Sequence, residues 1–83
     1  MKLLYFAWLR TKLGCSEEDV ALPDNICDVG GLMEWMRCRG PLFAEVLANP
    51  AFIRVAVNQV YARGDHPVAE GDEIAIFPPV TGG

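Results

Sequence analysis

The sequence predicts an α+β domain in which one mixed sheet wraps one main helix, and three observations lead there. Short apolar and β-branched runs stand at both ends of the chain. One longer segment between them carries apolar residues at helical spacing. Gly, Pro, Asn and Asp punctuate the joins. The resulting order, β-β-α-β-β-β, belongs to the α+β class. A length of 83 residues allows one domain with one core, and half of the residues are apolar, enough to fold without covalent staples.

Lys2–Leu9, a nearly unbroken apolar run, reads as the first strand, and Asp19–Leu22, stopped by Pro23, as the second. Gly14 and Ser16 lie in the turn between them. Asp28 fits a helix N-cap, because its carboxylate can accept from backbone N–H groups that lack intrahelical partners. Val29, Leu32, Met33 and Met36 follow at helical spacing, with Arg37 and Arg39 near the end and Gly40-Pro41 as the stop. Gly30 and Gly31 are odd choices for the first turn, where each costs about 1 kcal/mol relative to Ala. Trp35 falls at the edge of the apolar stripe, as a half-buried core aromatic. Leu42–Leu47 makes a short second helical turn, closed by Asn49-Pro50. Ile53–Val57 is a β-branched strand, Asn58-Gln59 a turn and Val60–Ala62 a short strand. Glu70-Gly71-Asp72 turns into the last strand, Glu73–Phe77. The chain thus divides into a domain, 1–77, and a tail, 78–83, with no repeats or internal linkers.

Composition excludes several functions. A net charge of −4 argues against nucleic acid, whose binding rests on Lys and Arg contacts to phosphates, and is compatible with a basic protein partner. The longest apolar stretch, Leu3–Leu9, is too short to cross a bilayer and lacks a signal-peptide cleavage site, so a cytoplasmic protein without a membrane segment is expected. Cys15, Cys27 and Cys38 are widely spaced, odd in number and without a C-x-x-C pair, and His66 is the single histidine. Neither a metal site nor a disulfide framework is expected from that set. The thiols read as ordinary reduced cysteines, and His66, before Pro67 in a turn, as structural.

The most informative segment is the end, Phe77-Pro78-Pro79-Val80-Thr81-Gly82-Gly83. Two glycines have no Cβ, so the backbone of Gly82 and Gly83 can enter a narrow channel and adopt φ/ψ values closed to other residues. Pro78 and Pro79 fix φ, offer no N–H to a neighbouring strand and favour an extended path. Fully extended, Pro78–Gly83 would reach roughly 20 Å, enough to insert into another protein's active site. A stiff stalk with a slim terminal carboxylate is expected.

The run Asp65–Gly83, the opening Leu4-Tyr5-Phe6-Ala7 with Leu9-Arg10 and Gly14, and the internal Val55-Ala56-Val57-Asn58-Gln59 resemble the molybdopterin synthase small subunit, the MoaD type of the MoaD/ThiS family. The likeness covers nearly the whole chain and is weakest between Cys15 and Phe52; Gly30 and Gly31 depart from it. It implies a ubiquitin-like β-grasp with the first and last strands side by side. It also implies a sulfur carrier that is not an enzyme alone. A ubiquitin-activating-type enzyme uses ATP to adenylate Gly83, and a sulfurtransferase donor supplies sulfur to make a terminal thiocarboxylate. The carrier then docks on the molybdopterin synthase large subunit, in a heterotetramer, with Pro78, Pro79, Val80, Thr81, Gly82 and Gly83 in the partner's active site. The sulfur passes to the cyclic pyranopterin precursor of the molybdenum cofactor. No permanently bound cofactor is implied. Alternatives are a ThiS-type carrier for thiamin thiazole synthesis, a ubiquitin-like modifier joined to target lysines, and a plain interaction module.

Strand parity adds a docking surface. Lys2, Leu4 and Phe6 share one face of the first strand, and Lys2 marks that face as outer. In the last strand Ile74 and Ile76 suit the core, which turns Ala75 and Phe77 outward. With those two strands adjacent, Phe6 and Phe77 form an exposed apolar patch at the root of the tail, extended by Tyr61.

Overall fold

A computed structural model describes residues 1–79 of the chain. Its elements are β1 (Lys2–Tyr5), α1 (Trp8–Leu13), β2 (Glu17–Asp19), α2 (Val29–Arg37), α3 (Pro41–Val46), a 3-10 turn (Pro50–Phe52), β3 (Arg54–Val57), β4 (Val60–Ala62) and β5 (Glu73–Phe77). The strands form one five-stranded sheet in the order β2-β1-β5-β3-β4. β1 and β5 lie side by side and parallel, with Leu3 opposite Ile74 and Tyr5 opposite Ile76. The other three pairings are antiparallel. A mixed sheet with this central parallel pair, covered on one face by α2, is the ubiquitin-like β-grasp.

Burial follows the strand parity. Leu3, Tyr5, Val55, Val57, Ile74 and Ile76 join Val29, Leu32, Met33 and Met36 of α2 in one core. Lys2 and Phe6 are exposed, and Leu4, Ala75 and Phe77 are half-buried on the opposite face of the sheet. Trp35 is partly buried against the core.

Two elements differ from the sequence reading by more than a single residue at an end. The first strand ends at Tyr5, not Leu9, and the remainder of the apolar run begins a helix, α1. Leu9 is buried and Leu13 packs against the core one turn later. Gly14 closes α1 in the left-handed region, φ 78°, with its N–H donating to the Arg10 carbonyl at 3.0 Å. The second strand is Glu17–Asp19 and not Asp19–Leu22. It is an edge strand of three acidic residues, which carries no apolar alternation to read and discourages further strand pairing.

The glycines of α2 have a packing reason. Asp28 caps the helix, its carboxylate accepting from the Gly31 N–H at 2.7 Å, and a Cβ on Gly31 would lie 3.1 Å from that same oxygen. The Gly30 N–H donates to the Gly64 carbonyl at 2.8 Å, and a Cβ on Gly30 would approach that oxygen to 3.2 Å. The first turn of α2 therefore presses against its cap and against the β4–β5 connection, and that closeness outweighs helix propensity.

A polar tie fastens the β2 edge to the end of α2. Arg39 donates to both carboxylate oxygens of Glu18, at 2.9 and 3.0 Å, while the Tyr5 hydroxyl donates to Glu18 at 2.5 Å. The guanidinium stands 4.5 Å from the Phe43 ring centre and 5.3 Å from that of Trp35. The hydrogen bonds from Arg39 hold the Glu18 carboxyl below the usual range, with the Tyr5 bond acting the same way and partial burial opposing both. Burial, then the bond to Glu18, pushes the Tyr5 hydroxyl well up.

Candidate functional site: the tail root

β5 carries the tail and is the middle strand of the sheet, bonded by β1 on one side and β3 on the other. Its start is set by side chains. The Asn58 amide oxygen accepts from the Glu73 N–H at 3.0 Å and its amide nitrogen donates to Asp72 at 3.1 Å. Asp72 also accepts from the Ala69 N–H at 2.8 Å. These two bonds, the one from Asn58 first, hold the Asp72 carboxyl low. Asn58 and Gln59 both take positive φ, 51° and 71°, making the two-residue β3–β4 hairpin whose twist matches the strands.

Register places the outer-face residues in rows across the sheet. One row runs Leu4, Ala75, Ala56, Tyr61. The two alanines make a low floor, over which Tyr61 stands 72% exposed. Its ring centre is 5.7 Å from that of Phe77. In the next row, nearer the tail, Phe77 lies opposite Arg54. Phe6, 46% exposed, follows the last β1–β5 pair, and its N–H donates to the Ile76 carbonyl at 3.2 Å. Tyr61 and Phe77 are thus in ring contact, and Phe6 stands just past the end of β1, tied to β5 through Ile76. Pro78 and Pro79 continue half-buried from β5. Val80, Thr81, Gly82 and Gly83 lie outside the described residues.

Beside the root is a recess of about 470 Å³ lined by Arg54, Val55, Tyr61, Arg63, Phe77 and Pro79. The two arginines were missed by the sequence reading. The signal was available in parity, because Arg54 alternates with buried Val55 and must share the outer face with Ala56. Trp8, Leu42 and Phe52 are further exposed apolar residues that strand parity could not find, since they lie on helical segments.

Other candidate chemistry is sparse. Among the described residues no group of three or more His, Cys, Asp or Glu side chains is placed to hold a metal ion. Among the described residues no helix is long and apolar enough to cross a membrane. The cysteines are free, Cys27 and Cys38 exposed and Cys15 half-buried. Burial, then nearby Glu18, pushes the Cys15 thiol up, which keeps it protonated and a poor nucleophile. The His66 ring is engaged with the Pro67 carbonyl at 2.9 Å. What the site offers chemically is a rigid, partly apolar platform from which the tail departs.

The profile of the ThiS family matches residues 3–83. The molybdopterin synthase sulfur carrier subunit of Escherichia coli (strain K12) is 37% identical over 83 residues, covering 100% of this chain and 99% of the relative. The subunit of the same name from Haemophilus influenzae is 34% identical over 83 residues, again covering 100% and 99%. The crystal structure of small archaeal modifier protein 1 of Haloferax volcanii superposes with a TM-score of 0.77 over 95% of each chain, at 26% identity. By its sequence, its strand order and its tail, the chain belongs to the MoaD/ThiS family, of the type of the molybdopterin synthase sulfur carrier subunits.

Proposed function

We propose that this chain is the sulfur carrier subunit of molybdopterin synthase and that its reactive group is the carboxylate of Gly83. The observation that carries the reading is the full-length likeness to sulfur carrier subunits, which runs through the Gly82-Gly83 end. A free carboxylate is a poor electrophile, because attack must expel an oxide. Joined to AMP by an activating enzyme that consumes ATP and releases pyrophosphate, the same carbonyl has a good leaving group. The outer sulfur of a persulfide-bearing donor then displaces AMP to give an acyl disulfide, and a second thiol cleaves its S–S bond, leaving a thiocarboxylate on Gly83 and a disulfide on the donor side. Docking through Phe6, Tyr61 and Phe77 would direct Pro78–Gly83 into the active site of the large subunit. There the thiocarboxylate gives its sulfur to the cyclic pyranopterin precursor. Acid and base groups come from the partner, and this chain contributes the sulfur and the docking face.

The test uses a Cys15→Ser, Cys27→Ser, Cys38→Ser variant supplied with activating enzyme, ATP, a persulfide sulfur donor and a thiol reductant. We expect the mass gain of one oxygen-to-sulfur exchange, mapped to the C-terminal peptide. Sulfur found only on cysteine peptides of the wild type, or a folded variant that gains none, would overturn the assignment. Deleting Gly82-Gly83 should abolish the gain with little change in melting temperature, since terminal residues contribute little packing. The likeness to a small archaeal modifier protein favours protein conjugation as the second reading. Isopeptide-linked Gly83 on lysines of cellular proteins, with no thiocarboxylate, would select it.

A further inference from the structure

Two arginines, Arg54 and Arg63, line the recess beside the tail root. Arg54 lies opposite Phe77. Arg63 directly follows the last β3–β4 pair, Val55 with Ala62, which sets it across from Arg54. Both are exposed and both line the recess with Tyr61, Phe77 and Pro79. Arg54 donates once to the neighbouring Ile53 carbonyl at 3.0 Å. Among the described residues neither arginine has an ion-pair partner, whereas Arg37 and Arg39 each have one. Like charges set opposite each other on a sheet destabilise it. The arrangement also inverts the charge of a chain whose net is −4. Two planar guanidinium forks beside apolar rings fit a carboxylate carried between apolar groups.

We propose that Arg54 and Arg63 clamp a carboxylate side chain of the protein that docks on the tail root. The inference rests on the docking reading above and adds the chemistry of the partner's surface: an Asp or Glu flanked by apolar residues that cover Tyr61 and Phe77. A nucleotide phosphate fits less well. The adenylate forms at Gly83, four residues past Pro79, and an extended tail would hold it roughly 13 Å beyond the recess that Pro79 and the arginines line. A partner carboxylate arrives with the docking surface itself. It would also relieve the repulsion between the two guanidiniums, so the pair favours the complex. The net charge of −4 disfavours an acidic partner in general, and the paired arginines favour the orientation that brings its carboxylate to the tail root.

The experiment measures binding of the full chain to the molybdopterin synthase large subunit of its own source by titration calorimetry at low and high salt. Replacing both arginines, Arg54→Gln with Arg63→Gln, should weaken binding about tenfold or more and flatten its salt dependence. Arg63→Glu places an acid opposite Arg54 within the chain. It should weaken binding at least as much while leaving the melting temperature unchanged or raised. Wild-type affinity in the folded double variant would overturn the clamp, and if Phe77→Glu loses affinity in the same assay, the docking reading survives that failure. No binding by the wild type would sink both. If inorganic phosphate raises the melting temperature of the wild type but not of the double variant, while large-subunit affinity is equal, the recess takes a phosphate and the proposal fails.

Discussion

Arg39→Ala should be among the most destabilising surface changes in this protein. The guanidinium makes two charge-assisted hydrogen bonds to Glu18, and the side chains of both residues are only 23% exposed. Such bonds are worth about 1.5–3 kcal/mol before discounting for water, which still reaches this pair. The Tyr5 hydroxyl would remain on Glu18, so the carboxylate is not left without a donor. We therefore assign about 1.5–2 kcal/mol to the lost bonds. Contacts with Trp35 and Phe43 add about 0.5–1 kcal/mol each. The total is about 3 kcal/mol. For a domain of this size each 1 kcal/mol moves the melting temperature by about 4–8 °C, so Arg39→Ala should melt roughly 12–24 °C lower. Arg39→Lys keeps the charge but loses the fork and the stacking, and should show roughly half of the loss. The assay is calorimetric or circular-dichroism melting at neutral pH. A loss under about 1 kcal/mol for Arg39→Ala would show that the tie contributes no more than an ordinary surface ion pair.

Three further outcomes are expected. Glu18 has a lowered folded pKa, so its contribution is present above the unfolded carboxyl value, about 4.3, and is lost as pH falls through the lower folded value. The stability difference between wild type and Glu18→Gln, read by urea melts across that range, should shrink to near zero in acid, and a difference that persists there refutes the linkage. Gly30→Ala should cost about 1 kcal/mol despite the better helix propensity of Ala, because its Cβ would crowd the Gly64 carbonyl at 3.2 Å; a stabilised variant in the same melts would mean that the β4–β5 connection gives way freely. Phe77→Glu, which sets a charge beside the Tyr61 ring, should weaken large-subunit binding by about 2 kcal/mol, some thirtyfold, with a smaller change in folding stability, and equal affinity by calorimetry would remove Phe77 from the interface.

Much of the architecture was legible because local signals and the fold agreed. Asp28 is the cap of α2, Asn58-Gln59 is the hairpin turn, and Ile74 and Ile76 point inward as parity required. The reading failed at Ala7. An unbroken apolar run has no period of two, and Leu9 is buried from a helix as completely as it would be from a strand. Nothing in the residue types shows that Ala7 takes φ 57°, an unusual value for a side chain with a Cβ, where the chain leaves β1 for α1. Only the Leu9/Leu13 spacing before Gly14 carried a helical signal. At the site, the outward positions of Phe6, Tyr61 and Phe77 follow from strand alternation. The opposition of Arg54 and Arg63 does not, because register between strands is a property of the assembled sheet.

The middle position of β5 ties the tail's presentation to the state of the whole domain. The pairs β1/β2 and β3/β4 are each local in the chain, yet no strand joins them until β5 inserts between β1 and β3. Closing the β1–β5 pair brings together segments nearly the full chain apart, the kind of contact whose entropy cost delays it in folding. Before that step β5 lacks its β1 neighbour, and Phe6 does not stand beside the platform under Pro78. A partner that grips the platform therefore samples only finished molecules. Under the proposed function, an incompletely folded chain with the same last residues would offer the partner nothing to hold.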